Sequence, residues 1–224
     1  MKKKLILCVV TFLFPVAFSV AQSTDFGAIL GVSYEKKLYK DFSLTIQEEV
    51  RFQNNFMCFG RLKSEIGVDY SFLKKRLNAE VNFQHLLYNQ LTFLENRYRA
   101  NIALTYAERV RQWKFSYKAR FQFLFYDELR GEHMLNPKIY MRNRVEAEYS
   151  FSAKPLKIAL SSEWFLRVNN PKMNIVDAVR TTLSFNYRLN KESSFTFFLR
   201  SNHEIQVRSP EYVYYVGCIY NFKH

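Results

Sequence analysis

From residue 26 to residue 222 the sequence alternates between apolar and polar side chains, the two-residue period of a β-strand. Residues 76–83 set Leu77, Ala79, Val81 and Phe83 on one face and Asn78, Glu80 and Asn82 on the other. Residues 113–125 set Trp113, Phe115, Tyr117, Phe121, Phe123 and Phe125 against Lys114, Lys118, Arg120 and Gln122. The pattern predicts eleven strands, at 26–37, 42–53, 59–72, 76–88, 95–109, 113–127, 138–151, 156–168, 175–188, 194–206 and 211–222. These are about twice the mean strand length of soluble proteins. They match a tilted strand crossing a bilayer, which needs about 9–11 residues plus flanks.

Alternation alone does not say which face points inward. Eleven strands with about five apolar side chains each supply roughly fifty, many of them aromatic, whereas a small barrel is only wide enough for ordinary side chains to fill it. Turning the apolar stripe outward, into lipid, removes the conflict. Short connections near 38–41, 73–75, 111–112, 153–155 and 190–192 alternate with longer ones near 54–58, 89–94, 128–137, 169–174 and 208–210, as in outer-membrane barrels. At the short-connection ends the stripe carries Tyr34, Phe42, Tyr70, Trp113, Tyr149, Tyr187, Phe195 and Phe222, a girdle suited to an interface. Alternate residues Tyr214, Val216, Cys218, Tyr220 and Phe222 resemble the terminal-strand signal of outer-membrane proteins, with Lys223 and His224 following the aromatic.

The fold expected is therefore all-β: a transmembrane antiparallel up-and-down β-barrel of about 10–12 strands. Bacterial barrels of this type have an even strand number. An eleventh segment thus predicts either one more strand, within 84–96, or an end segment outside the ladder.

The first 21 residues have the form of a secretory signal peptide. Lys2, Lys3 and Lys4 precede an apolar core from Leu5 to Val20, and Ser19-Val20-Ala21 offers small residues for cleavage. Residues 22–224 are then the barrel, expected in the outer membrane of a Gram-negative bacterium. Its partners would be membrane lipid and the outer-membrane assembly machinery. The formal charge is +13, and three of the lysines belong to the leader. An exported chain whose basic residues are spread among acids, without a basic helix, is not a nucleic-acid binder. Cys58 and Cys218 read as free, small apolar residues.

With the stripe outward, the polar faces line a lumen. The basic residues there are Arg51, Arg97, Arg99, Lys118, Arg120, Arg142, Arg144, Arg180, Arg188 and Arg200. The acidic ones are Glu49, Glu65, Glu80, Glu146, Glu148 and Glu163. Two readings follow: cross-strand ion pairs that fill a narrow structural barrel, or an arginine-lined, anion-preferring passage. Glu48 breaks the pattern, standing on the apolar stripe between Ile46 and Val50.

No catalytic residue, cofactor site or metal site is predicted. His85, His133, His203 and His224 have no metal-ligand spacing, and no serine neighbours one of them in a recognisable motif. A nucleophile elbow is absent, and six glycines leave no phosphate loop. A membrane-embedded hydrolase of the barrel lipase type and a soluble exported ligand-binding β-barrel are the alternatives.

Several short stretches carry a family resemblance: Glu49-Val50-Arg51-Phe52, Arg61-Leu62, Gly67-Val68-Asp69-Tyr70, Asn96-Arg97-Tyr98-Arg99, Arg142-Asn143-Arg144, Ser162-Glu163-Trp164-Phe165 and Ser184-Phe185-Asn186-Tyr187-Arg188-Leu189. With them the chain resembles an uncharacterised exported barrel family, domain of unknown function 2490, over nearly all of residues 22–224. The resemblance implies an outer-membrane barrel and carries over no activity or catalytic residue.

Overall fold

The computed structural model describes residues 23–90, 92–126, 137–169, 175–205 and 210–224. The leader, His133 and most of the longest loop lie outside these residues. Eleven strands run in sequence: β1 (Ser23–Tyr39), β2 (Phe42–Gln53), β3 (Cys58–Phe72), β4 (Leu77–Asn89), β5 (Leu94–Val110), β6 (Trp113–Tyr126), β7 (Lys138–Ser150), β8 (Leu156–Arg167), β9 (Ile175–Arg188), β10 (Ser193–Glu204) and β11 (Glu211–Lys223). Each segment of the alternating pattern forms one strand. Among the described residues no strand intervenes between β4 and β5, where Gln90 N donates to Phe93 O across the connection at 2.9 Å.

Each strand pairs with its neighbours in sequence, and β1 pairs with β11, so the sheet closes into a barrel. All eleven strands belong to the ladder, which corrects the expectation of an even number. With an odd number, the last strand runs in the same direction as the first. The closing pair β1·β11 is therefore parallel, and every other pair is antiparallel. Carried round the ring, these registers return to β1 displaced by about 14 residues, a stagger that accompanies strands tilted by roughly 35–45°.

The apolar stripe faces out. Leu30, Val32, Ile46, Ile66, Val81, Phe83, Ile102, Phe121, Leu160, Phe197, Leu199 and Val216 are all exposed, while Glu49, Arg61, Lys63, Arg142 and Glu163 are buried inside the ring. At the short-connection end, outward rings touch across strands: Tyr34 with Phe222 at 5.8 Å, Phe42 with Tyr70 at 4.5 Å, Trp113 with Tyr149 at 5.0 Å and Phe195 with Tyr220 at 5.2 Å.

The parallel seam has its own interior. Ile29, Phe198 and Tyr215 are buried there, with Val213 and Ile219 packed against them. Phe198 and Gly217 are register partners across β10 and β11. A Cβ on Gly217 would stand 2.1 Å from the Phe198 ring, and one on Gly27 would stand 2.6 Å from the Tyr215 ring. Those two glycines let the rings lie flat on the inner wall, where a polar lining was expected.

Candidate functional site in the lumen

Three carboxylates organise the middle of the lumen. Glu49, on β2, is met by Arg51 at 3.3 Å, Arg61 at 3.4 Å and Lys63 at 3.4 Å. Lys63 also reaches Glu65 at 3.2 Å. Glu163, on β8, receives Nε and Nη2 of Arg142 at 3.1 and 2.8 Å, and lies 3.5 Å from Arg180. Glu80, on β4, pairs with Lys118 and, at 3.4 Å, with Arg120. Glu49 and Glu163 meet cations on their own and neighbouring strands, whereas Glu80 reaches over its register partner Ala103 on β5 to the two cations on β6.

Around the carboxylates lies a neutral polar layer. Asn82, Gln84, Asn101 and Gln122 are all buried. Asn101 donates to Asn82 at 2.5 Å, Arg142 to Gln122 at 2.7 Å and Arg99 to Gln84 at 3.0 Å. Several guanidiniums also lie over inward rings: Arg51 over Tyr215 at 4.6 Å, Arg97 over Tyr88 at 4.1 Å, Arg142 over Phe165 at 4.4 Å and Arg200 over Phe198 at 4.6 Å. These inward aromatics were not foreseen. Their signal was an aromatic at polar parity, as at Tyr88 and Phe165.

A cavity of about 290 Å³ remains in this layer. Nine cationic side chains line it (Arg51, Arg61, Lys63, Arg99, Arg120, Arg142, Arg144, Arg180 and Arg200) against three carboxylates, Glu49, Glu65 and Glu163. Arg99 and Arg200 have no carboxylate within ion-pair distance among the described residues, and the Nε atoms of both are buried without a hydrogen-bond partner. The unmatched positive charge is thus concentrated at one level of the bore.

The other predicted lumen residues lie nearer the ends. Arg97 pairs with Glu95 at 2.7 Å. Arg144, at the edge of the central cavity, pairs with Glu146, and Lys157 pairs with Glu148 at 3.1 Å. Arg188 is exposed at the short-connection mouth, in a second cavity of about 530 Å³ that Glu146 and Glu148 also line. Arg188 is the last residue of β9, so its side chain stands at the mouth of the bore. That second cavity has as many basic as acidic side chains, and so carries no comparable field.

On the outer wall, Glu48 accepts a hydrogen bond from Ser64 at 2.9 Å. Ser64 is the register partner of His85, although the two are far apart in sequence. A serine does stand beside a histidine, through strand pairing rather than through a motif. His203 packs on Tyr212 at 4.7 Å. Cys58 and Cys218 are free. Among the described residues no group of His, Cys, Asp or Glu is placed to hold a metal ion.

A family model described as "Protein of unknown function (DUF2490)" matches residues 26–211. No curated protein matches the chain.

Proposed function

The chain belongs to the DUF2490 family, and from that starting point we propose that it is an outer-membrane β-barrel whose narrow, arginine-lined lumen prefers small anions. The leader would take it out of the cytoplasm, and the assembly machinery would recognise the β11 stripe that ends in Phe222. Lipid would then cover the outward apolar face. Left in water, that face would forgo about 25 cal/mol for each Å² of apolar surface.

One observation carries the anion preference: nine cations against three carboxylates around the 290 Å³ cavity. Most lumen charges are paired, which keeps the wall rigid and the bore narrow. Arg99 and Arg200 are the two lining cations with no carboxylate partner among the described residues. In a constricted, water-poor passage their field attracts anions and repels cations.

Planar-bilayer recording tests this. With a KCl gradient across the membrane, the purified barrel gives a small conductance whose reversal potential lies on the chloride side. Arg99→Gln combined with Arg200→Gln moves that potential toward zero. Cation selectivity, or no conductance from barrels shown to be folded and inserted, contradicts the proposal.

A further inference from the structure

The outer wall carries a polar row that neither the lumen nor a lipid-covered surface accounts for. Glu48 on β2, Ser64 on β3, His85 on β4 and Tyr98 on β5 are successive register partners. All four share the parity of the exposed apolar stripe: Ile46 flanks Glu48, Ile66 flanks Ser64 and Phe83 flanks His85. Ser64 Oγ donates to Glu48 Oε2 at 2.9 Å. His85 Nε2 lies 2.9 Å from Asn96 Oδ1, and the His85 ring stacks on Tyr98 at 5.3 Å. Ionisable side chains on a lipid-facing wall are costly, and Glu48 on β2 and His85 on β4, joined in one polar row through Ser64, point to chemistry.

We propose that this row is a lipid-facing acyl-ester hydrolase site, with Ser64 as nucleophile, His85 as its base and Asn96 as the residue that positions His85. Ser64 and His85 face each other across an antiparallel pair, where Cβ atoms are about 5 Å apart. In the structure the Ser64 hydroxyl turns to Glu48 on β2 and the His85 ring to Asn96 and Tyr98 on β5, so the reacting arrangement needs Ser64 to rotate about its Cα–Cβ bond toward the imidazole. Such contacts often tighten only when substrate binds.

The step balances within the site. Ser64 Oγ bonds to the ester carbonyl carbon, and its proton passes to His85. The ester C–O bond breaks, and the departing alkoxide takes that proton. Water, deprotonated by His85, then releases the fatty acid and restores Ser64.

The position suits a membrane lipid. β4 ends at Asn89 and β5 begins at Leu94, so His85 and Asn96 stand close beneath the rim at the longer-connection end. At about 2.5 Å of height per tilted residue, the row lies on the order of 10 Å down, near the boundary of headgroups and acyl chains. The next outward row toward the middle of the wall is Ile46, Ile66, Phe83 and Ala100. Its three large apolar side chains are exposed, forming a shelf for an acyl chain.

The site presupposes that the barrel stands in lipid, so the test uses full-length protein in detergent micelles whose heat-resistant folded band is confirmed first. A long-chain alkyl fluorophosphonate is added; the Ser64 oxygen displaces fluoride from phosphorus, and peptide mapping locates the adduct. The wild-type chain labels at Ser64 and releases fatty acid from phosphatidylethanolamine in mixed micelles. His85→Ala slows labelling by about 100-fold or more. Asn96→Ala slows it by about 10-fold, and Asn96→Asp restores most of the rate, which a merely structural role would not require. A folded wild-type barrel left unlabelled at Ser64, the absence of fatty-acid release, or His85→Ala labelling at the wild-type rate overturns the site and leaves the lumen proposal standing.

Discussion

Glu163 holds two guanidiniums at once, Arg142 through both of its oxygens and Arg180 through one. Its side chain and that of Arg142 are nearly inaccessible. Glu163→Gln therefore leaves two buried cations facing a neutral amide, at an expected cost of about 3 kcal/mol. Arg144, 40% exposed, faces Glu146 nearer the mouth; Arg144→Gln should cost less than about 1 kcal/mol. Urea unfolding of the refolded barrel in detergent measures both, and equal losses would contradict the described lumen. Parity made most of these charges legible: Arg51 and Arg120 stand between two apolar neighbours, and Arg142, Arg180, Glu49 and Glu163 each stand beside one. It did not reveal Phe198 or Tyr215, because Phe197-Phe198 and Tyr214-Tyr215 place aromatics on both faces in succession. The glycines beneath those rings, Gly217 and Gly27, were the clue that alternation alone does not weigh. Nor did it bring Ser64 to His85. That adjacency exists only through the β3·β4 register.

At the scale of the element, the strands could be read because each is long and its period is sustained, and their limits moved by only a few residues. β1 starts at Ser23 and runs to Tyr39, beyond the predicted 26–37. How the ring closes was not legible, since a pairing between the first and last strands leaves no local pattern. The same end does carry contacts that fix the seam: Lys37 N donates to His224 O at 3.1 Å, His224 N donates to Glu35 O at 2.9 Å, and Lys223 pairs with Glu35 at 2.5 Å. Parallel pairing also sets Leu30 beside Cys218, both facing out. Leu30→Cys, in a Cys58→Ser background, should therefore oxidise to a disulfide with Cys218. Neighbouring strands lie about 5 Å apart, within the range such a bond spans. The cross-link closes a loop of nearly the whole chain and should show as a faster band on a non-reducing gel. No such band under oxidising conditions would mean that β1 does not lie parallel to β11 at this register.

For the whole molecule, the two faces of one sheet face different surroundings. The inner face packs paired charges, buried amides and stacked guanidiniums around a small cationic cavity, and the outer face is a belt of exposed Phe, Leu, Ile and Val with a ring of touching aromatics at one end. This division could be read in outline from volume, since a barrel this small has no room inside for so many aromatics. The lack of a carboxylate partner for Arg99 and Arg200 among the described residues could not, because it depends on which carboxylates reach which cations. The central claim is that the outer belt meets lipid, and the two tryptophans report on it directly. Trp113 lies at the short-connection girdle and Trp164 on the outward face of β8, so the fluorescence of the wild-type chain needs no substitution to be read. Refolded into vesicles of lipids brominated along their acyl chains, the protein should lose most of its tryptophan emission relative to unbrominated vesicles. Bromines near the headgroups should quench more than those at the chain ends. Emission unchanged by bromine at every depth, from a chain that stays folded as a monomer without detergent, would contradict the outward-facing lipid surface.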